Sequence, residues 1–160
     1  MVLILLIVAL LLGSPKDCPV VGPVEFTDTF GLETKDRIHQ GQDLYAERGY
    51  PVVAVEAGRV EFNTHPKSGN RVKLTTEKGR VFSYAHLDRF PEWLGDGAEV
   101  AASGIVGYVG NSGNAQCCSP HLHFSQTEQG EFVNPWPWLV EACDREAEDP
   151  ETRLQAEVVK

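Results

Sequence analysis

The chain has 160 residues, enough for one domain with a tail, and its 42% hydrophobic and 23% charged residues are an ordinary globular balance. A formal net charge of −9 excludes nucleic acid as a natural partner, because phosphate binding needs a basic surface, and it disfavours broad attraction to an anionic membrane. Fifteen glycines and ten prolines favour a turn-rich β architecture over a helical bundle.

Val2 to Leu12 is an uninterrupted apolar run. As a helix it would rise only about 16 Å, short of a ~30 Å hydrocarbon core. Its length fits the apolar region of a secretory signal peptide, with Gly13 and Ser14 as small residues near a cleavage point. No Lys or Arg precedes it, so a short N-terminal anchor or a buried apolar element stays as the alternative. Residues 1–14 are assigned to that segment and 15–36 to a lead-in without a clean period.

From Arg37 the pattern becomes short strands separated by turns. Pro51 to Val55 is apolar and β-branched, and Arg59 to Phe62 resumes after Gly58. His65 to Asn70 reads as a loop, and Arg71 to Thr75 alternates polar and apolar residues. Lys78-Gly79 turns into Arg80 to His86. Gly104 to Gly110 is a glycine-rich strand, and His121 to Gln126 is a strand followed by a turn at Gln129-Gly130. Six or more such strands predict a mainly β domain, an antiparallel sandwich or barrel-like unit over 37–139. Residues 140–160 form an acidic tail, with a helix start expected at Asp149-Pro150-Glu151.

Cys18, Cys117, Cys118 and Cys143 allow three full pairings. Neighbouring Cα atoms lie about 3.8 Å apart, below the usual ~4.4 Å disulfide minimum, which disfavours Cys117–Cys118. In an oxidising compartment Cys18 and Cys143 are expected to pair with the vicinal two; buried free thiols are the alternative.

Four of the five histidines fall into a set with one carboxylate. His121 and His123 are two apart on a predicted strand and share a face, with Leu122 on the other. His39 and Asp43 flank Gly41, which argues for an irregular turn that lets both side chains converge. His86 ends a strand. Two histidine nitrogens and one carboxylate oxygen suit Zn²⁺ and leave a coordination position open, as catalytic rather than structural zinc sites do. His65 sits in a polar loop without a partner and reads as surface. Asn134 to Trp138 carries aromatics that either wall a groove or cover a core edge.

The chain resembles the M23 family of zinc metallopeptidases, the lysostaphin and LytM type, over about Ile38 to Leu139. The resemblance rests on His39-x-Gly41-x-Asp43, Gly49-Tyr50-Pro51-Val52, Gly69-Asn70-x-Val72 and Tyr84-Ala85-His86-Leu87. It continues through Gly107-x-Val109-Gly110-Asn111-Ser112-Gly113, Pro120-His121-Leu122-His123-Phe124 and Asn134-Pro135. It implies one zinc held by His39, Asp43 and His123, with His86 and His121 as catalytic, non-ligand histidines. It further implies an exported, monomeric endopeptidase that hydrolyses amide bonds of peptidoglycan peptides and touches a membrane only through an N-terminal anchor. The alternative is a non-hydrolytic M23-like binding or activator module. The segment Asn114 to Ser119 departs from the family by bringing in two cysteines. Cys118-x-x-His121 as a thiolate zinc site would leave His39 and Asp43 unexplained.

Overall fold

The computed structural model describes residues 17–34 and 37–144. The apolar run at the start and the helix expected at Asp149 lie outside these residues. Eleven strands, a short 3₁₀ helix (Gly113–Ala115) and one α-helix occur among the described residues. They are β1 (Glu33–Thr34), β2 (Arg37–Ile38), β3 (Gln42–Tyr45), β4 (Pro51–Val53), β5 (Gly58–His65) and β6 (Gly69–Thr75). Then come β7 (Val81–Leu87), β8 (Glu99–Val100), β9 (Ile105–Tyr108), β10 (His121–Glu128), β11 (Glu131–Val133) and α1 (Trp136–Asp144).

The expected mainly antiparallel β domain is what forms. Seven strands make one sheet in the order β11-β10-β7-β6-β5-β8, and β3 joins β10 on the edge that β11 also uses. β3 takes the first half of that edge, at residues 121–124, and β11 the second half, at 126–128. The alternation read in the sequence decides the faces. Phe82 and Tyr84 of β7, Val72 and Leu74 of β6, and Leu122 and Phe124 of β10 are fully buried on one side. The small sheet of β4 and β9 covers that side, adding Val52 and Val106 to the same core. β9 comes so near that a Cβ on Gly107 would stand 2.7 Å from Leu87. Burying each large apolar side chain contributes roughly 1.5–3 kcal/mol, so this face drives the fold. The opposite face stays open.

Some boundaries moved. β5 runs through His65, expected as loop, because it keeps pairing with β6 up to His65↔Gly69 and the turn needs only Pro66 to Ser68. A helix not expected from the sequence begins at Trp136: the Asn134 side chain accepts from the Trp136 N–H at 2.9 Å and caps it. Its aromatics cover a core edge rather than wall the groove. Trp138 packs edge-on against Phe124 and donates its indole N–H to Gln126 Oε1 at 3.0 Å. No helix among the described residues is long and apolar enough to cross a membrane.

The disulfide expectation is corrected. Cys18 and Cys143 bond to each other, with Cα atoms 4.7 Å apart across 125 residues of sequence. Both are buried where the two ends of the domain meet the core, whereas Cys117 and Cys118 are free thiols on an exposed loop. A pair buried in the core cannot reach thiols held at the surface. The lead-in is likewise stitched to the sheet, through bridges Val20↔Val52 and Glu25↔Tyr45. Alkylation of the unfolded, non-reduced protein followed by peptide mapping should label Cys117 and Cys118 and leave the Cys18 and Cys143 peptides linked. Removing the link by a Cys18→Ala, Cys143→Ala double substitution should cost about 2–5 kcal/mol in denaturant unfolding.

Candidate metal centre

Strand pairing builds the site on the open face. β3 and β10 pair antiparallel in a register that sets Asp43 opposite His123, and β7 places Ala85 on the other side of His123. His39 arrives from the turn between β2 and β3. That turn passes so close to β10 that a Cβ on Gly41 would stand 2.6 Å from the Phe124 carbonyl and 2.8 Å from His123 Nε2. Close approach is therefore the reason for glycine here.

The donor atoms converge. His123 Nδ1 lies 2.8 Å from Asp43 Oδ1, His39 Nε2 lies 3.3 Å from the same oxygen, and the two ring nitrogens are 3.1 Å apart. Among the described residues these three form the one group of His, Cys, Asp or Glu side chains spaced to hold a metal ion. Zinc bonds of ~2.0–2.1 Å in tetrahedral geometry put neighbouring ligand atoms roughly 3.3–3.4 Å apart. The observed triangle needs only slight opening to meet that, and two imidazoles with a carboxylate are a zinc donor set. The residues fit.

Electrostatics agree with the geometry. Burial opposes ionisation of Asp43, but hydrogen bonds from His123 and His39 and their charge overrule it and hold the carboxyl well below the usual carboxylate range. The hydrogen bond to Asp43 raises His39 above its ordinary value, against the opposing effect of burial.

A second layer fixes the rings. A backbone carbonyl can only accept, so His39 Nδ1–H donates to Thr29 O at 3.0 Å, and the Nε2 lone pair becomes free for a metal once the proton shared with Asp43 has left. Thr29 is held in turn by Gln42, a fully buried side chain whose Oε1 accepts from Thr29 N at 3.0 Å. The Gln42 amide donates to Asp28 at 2.6 Å and to Asn134 at 3.1 Å. These partners were missed in the sequence because the groups that orient the rings are mostly main-chain oxygens, which every residue type supplies.

His86 and His121 stand beside the triad with ring centres 5.0 Å apart. Strict alternation would send His86 into the core with Tyr84. A bulge prevents this: β6 shifts register between Asn70 and Val72, and His86 adopts φ +62°, which turns its ring to the open face. Holding a non-glycine residue in that region costs about 1–2 kcal/mol. The neighbouring loop compensates. Ser112 O accepts from His86 Nδ1 at 2.9 Å, and Ser112 Oγ links Asn70 N at 2.9 Å with Leu87 O at 2.6 Å. His121 is fixed likewise, Nδ1–H donating to Ser119 O at 2.9 Å. Burial pushes His86 down to about 4, so it is neutral at ordinary pH. The neutral His86 ring then carries a proton-accepting Nε2 on the edge away from its carbonyl anchor.

All five residues singled out in the sequence come together. His65 stays apart at the end of β5, accepting from Lys67 N at 3.2 Å. Cys117 and Cys118 remain outside the triad with Sγ atoms 3.0 Å from each other, which disposes of a thiolate metal site at His121.

Residues 37–135 match the sequence profile of peptidase family M23. The chain belongs to that family. This M23 chain is 34% identical over 100 residues to the DD-carboxypeptidase/endopeptidase Mpg of Neisseria meningitidis, covering 62% of this chain and 22% of that protein. It is 32% identical over 94 residues to the L-Ala–D-Glu endopeptidase of Bacillus subtilis, covering 55% and 29%. The fold is similar to the catalytic domain of the antimicrobial peptidase lysostaphin from Staphylococcus simulans, with TM-score 0.63, 26% identity, and 72% and 92% of the two chains covered. The M23 chain thus spans less than a third of the length of these two curated relatives.

Two outcomes follow. Gly41→Ala should force the His39 turn off β10 and weaken metal binding by about tenfold or more, read by chelator competition, while the zinc-free melting temperature reports any general loss of fold. Metal binding should also weaken as pH falls. The raised value of His39 means its proton is retained above the usual ~6.5, so metal must displace it there. Chelator titrations between pH 8 and 6 should show the decline beginning above pH 6.5.

Proposed function

We propose that this protein is an exported zinc endopeptidase that hydrolyses amide bonds in the peptide part of peptidoglycan. The observation that carries the reading is the adjacency of a three-ligand triad with an open side to two histidines anchored by backbone carbonyls. The M23 relatives described above support it, since they include a DD-carboxypeptidase/endopeptidase and an L-Ala–D-Glu endopeptidase.

His39, Asp43 and His123 would hold one zinc ion per chain. Bound zinc supplies Lewis acidity, polarising a carbonyl oxygen and making water nucleophilic at neutral pH. The protein's own part is proton traffic. Amide hydrolysis must take one proton from the attacking water and deliver one to the leaving nitrogen. His86 begins as an acceptor, because it is neutral and commits its single N–H to a carbonyl, and His121 is anchored to a carbonyl through the same ring atom. Whichever ring takes the water's proton gains an Nε2–H, and with it the donor that a developing oxyanion or the leaving amine requires. His86 therefore does not donate to an oxyanion in the resting enzyme; it does so only after accepting a proton. An extended substrate would lie in the groove on the open face, a cavity of about 250 Å³ lined by His39, His86 and His123.

The test is mass spectrometry of muropeptides after digestion, which reads activity and names the bond together. His123→Ala should lose zinc and activity, whereas His121→Ala should retain zinc and lose about 10²–10⁴-fold in turnover. A wild type that binds zinc and cleaves no wall preparation would replace this reading with a binding or activator module.

A further inference from the structure

The groove beside the triad contains a cation without a counter-charge. Arg71 projects from β6 on the open face, opposite the bulge formed by Ala85 and His86, and lines the same cavity as His39 and His123. Acids outnumber bases 23 to 14 in this chain, and Arg48, Arg59 and Arg80 each sit against a carboxylate. The Arg71 side chain has no ion pair and no hydrogen bond to any described residue. Its Nε is shielded from solvent without a partner, and so is Oγ of Ser68, which lines the same cavity. Lys67, next in the cavity wall, also meets no acid.

A buried donor left without a partner is costly, so two of them in the wall of one groove need an explanation. Solvent satisfies neither, since both atoms are closed to it in the resting rotamer. A carboxylate entering the groove would turn the guanidinium outward and accept a bidentate pair from Nε and Nη, the geometry arginine offers and lysine does not.

We propose that Arg71, with Ser68 and Lys67, forms a carboxylate-binding subsite, so that the preferred substrate is a peptide carrying a free carboxylate close to the scissile bond. Position sets how close. Arg71 is two strands from His123, about 10 Å at ~4.8 Å per strand, and an extended peptide advances about 3.4 Å per residue. The carboxylate therefore belongs to a residue within about three of the cleaved bond. Ala85, Ser83 and Ser125 floor the path between, and their small side chains leave it open. The proposal rests on the endopeptidase reading and adds the substrate's charge to it.

The test uses one synthetic peptidoglycan stem peptide in three forms: free acid, C-terminal carboxamide and side-chain carboxamide. Amidation removes the charge and nearly preserves the volume. The wild type should lose about 10- to 100-fold in kcat/KM on one of the two amides, and which one tells a terminal from a side-chain carboxylate. Arg71→Gln should drop the free acid to the rate of that amide and leave the amide itself unchanged. Arg71→Lys should restore part of the preference, and a variant that misfolds would lower all three rates together. Equal wild-type rates on the three forms, or full discrimination retained by Arg71→Gln, would overturn the subsite while leaving the endopeptidase reading intact. Cleavage of none of them, nor of any muropeptide, would overturn both.

Discussion

The pairing of β3 with β10 is the constraint on which the site depends. It joins residues 80 apart in sequence in one register, and that register alone sets Asp43 against His123. A slip of one residue would send His121 and His123 into the core and Leu122 and Phe124 into the groove. The core face prevents the slip, because Leu44, Leu122 and Phe124 are fully buried on the other side of the same strands. Hydrophobic burial on one face thus fixes the position of Asp43 and His123 on the opposite face.

Around that pairing, the backbone does most of the orienting. Thr29, Ser112 and Ser119 each offer a carbonyl to an Nδ1, and so orient the rings of His39, His86 and His121. The bulge at His86 stores strain that the Ser112 contacts offset. Its consequence is that a residue one place out of phase with the sheet still reaches the groove. The polar cluster of Gln42, Asp28 and Asn134 ties the lead-in and the start of α1 to the back of β3. Residues 17–34 therefore support the centre from behind.

Charge is distributed unevenly over this acidic chain. Asp43 is ionised inside the site by its two histidines, while the far wall of the groove carries Lys67 and Arg71. The groove thus runs from the cluster of His39, Asp43 and His123 to Lys67 and Arg71, across a floor of small side chains.

The sequence by itself determined the strands and the five candidate residues. Period-two alternation is a local signal, so β6, β7 and β10 were legible together with the shared face of His121 and His123. Gly41 was legible too, as a residue that lets His39 and Asp43 converge. The hidden features all depend on contacts between distant segments. Nothing local says that Cys18 meets Cys143, because that pairing follows from which ends of the chain the core brings together. Nothing local places a bulge at His86, since it arises from a register mismatch with β6. The absence of a partner for Arg71 is likewise a property of what surrounds it. Residue chemistry travels with the letter and can be read from it; proximity, backbone orientation and unmet polar groups exist only once the sheet has closed.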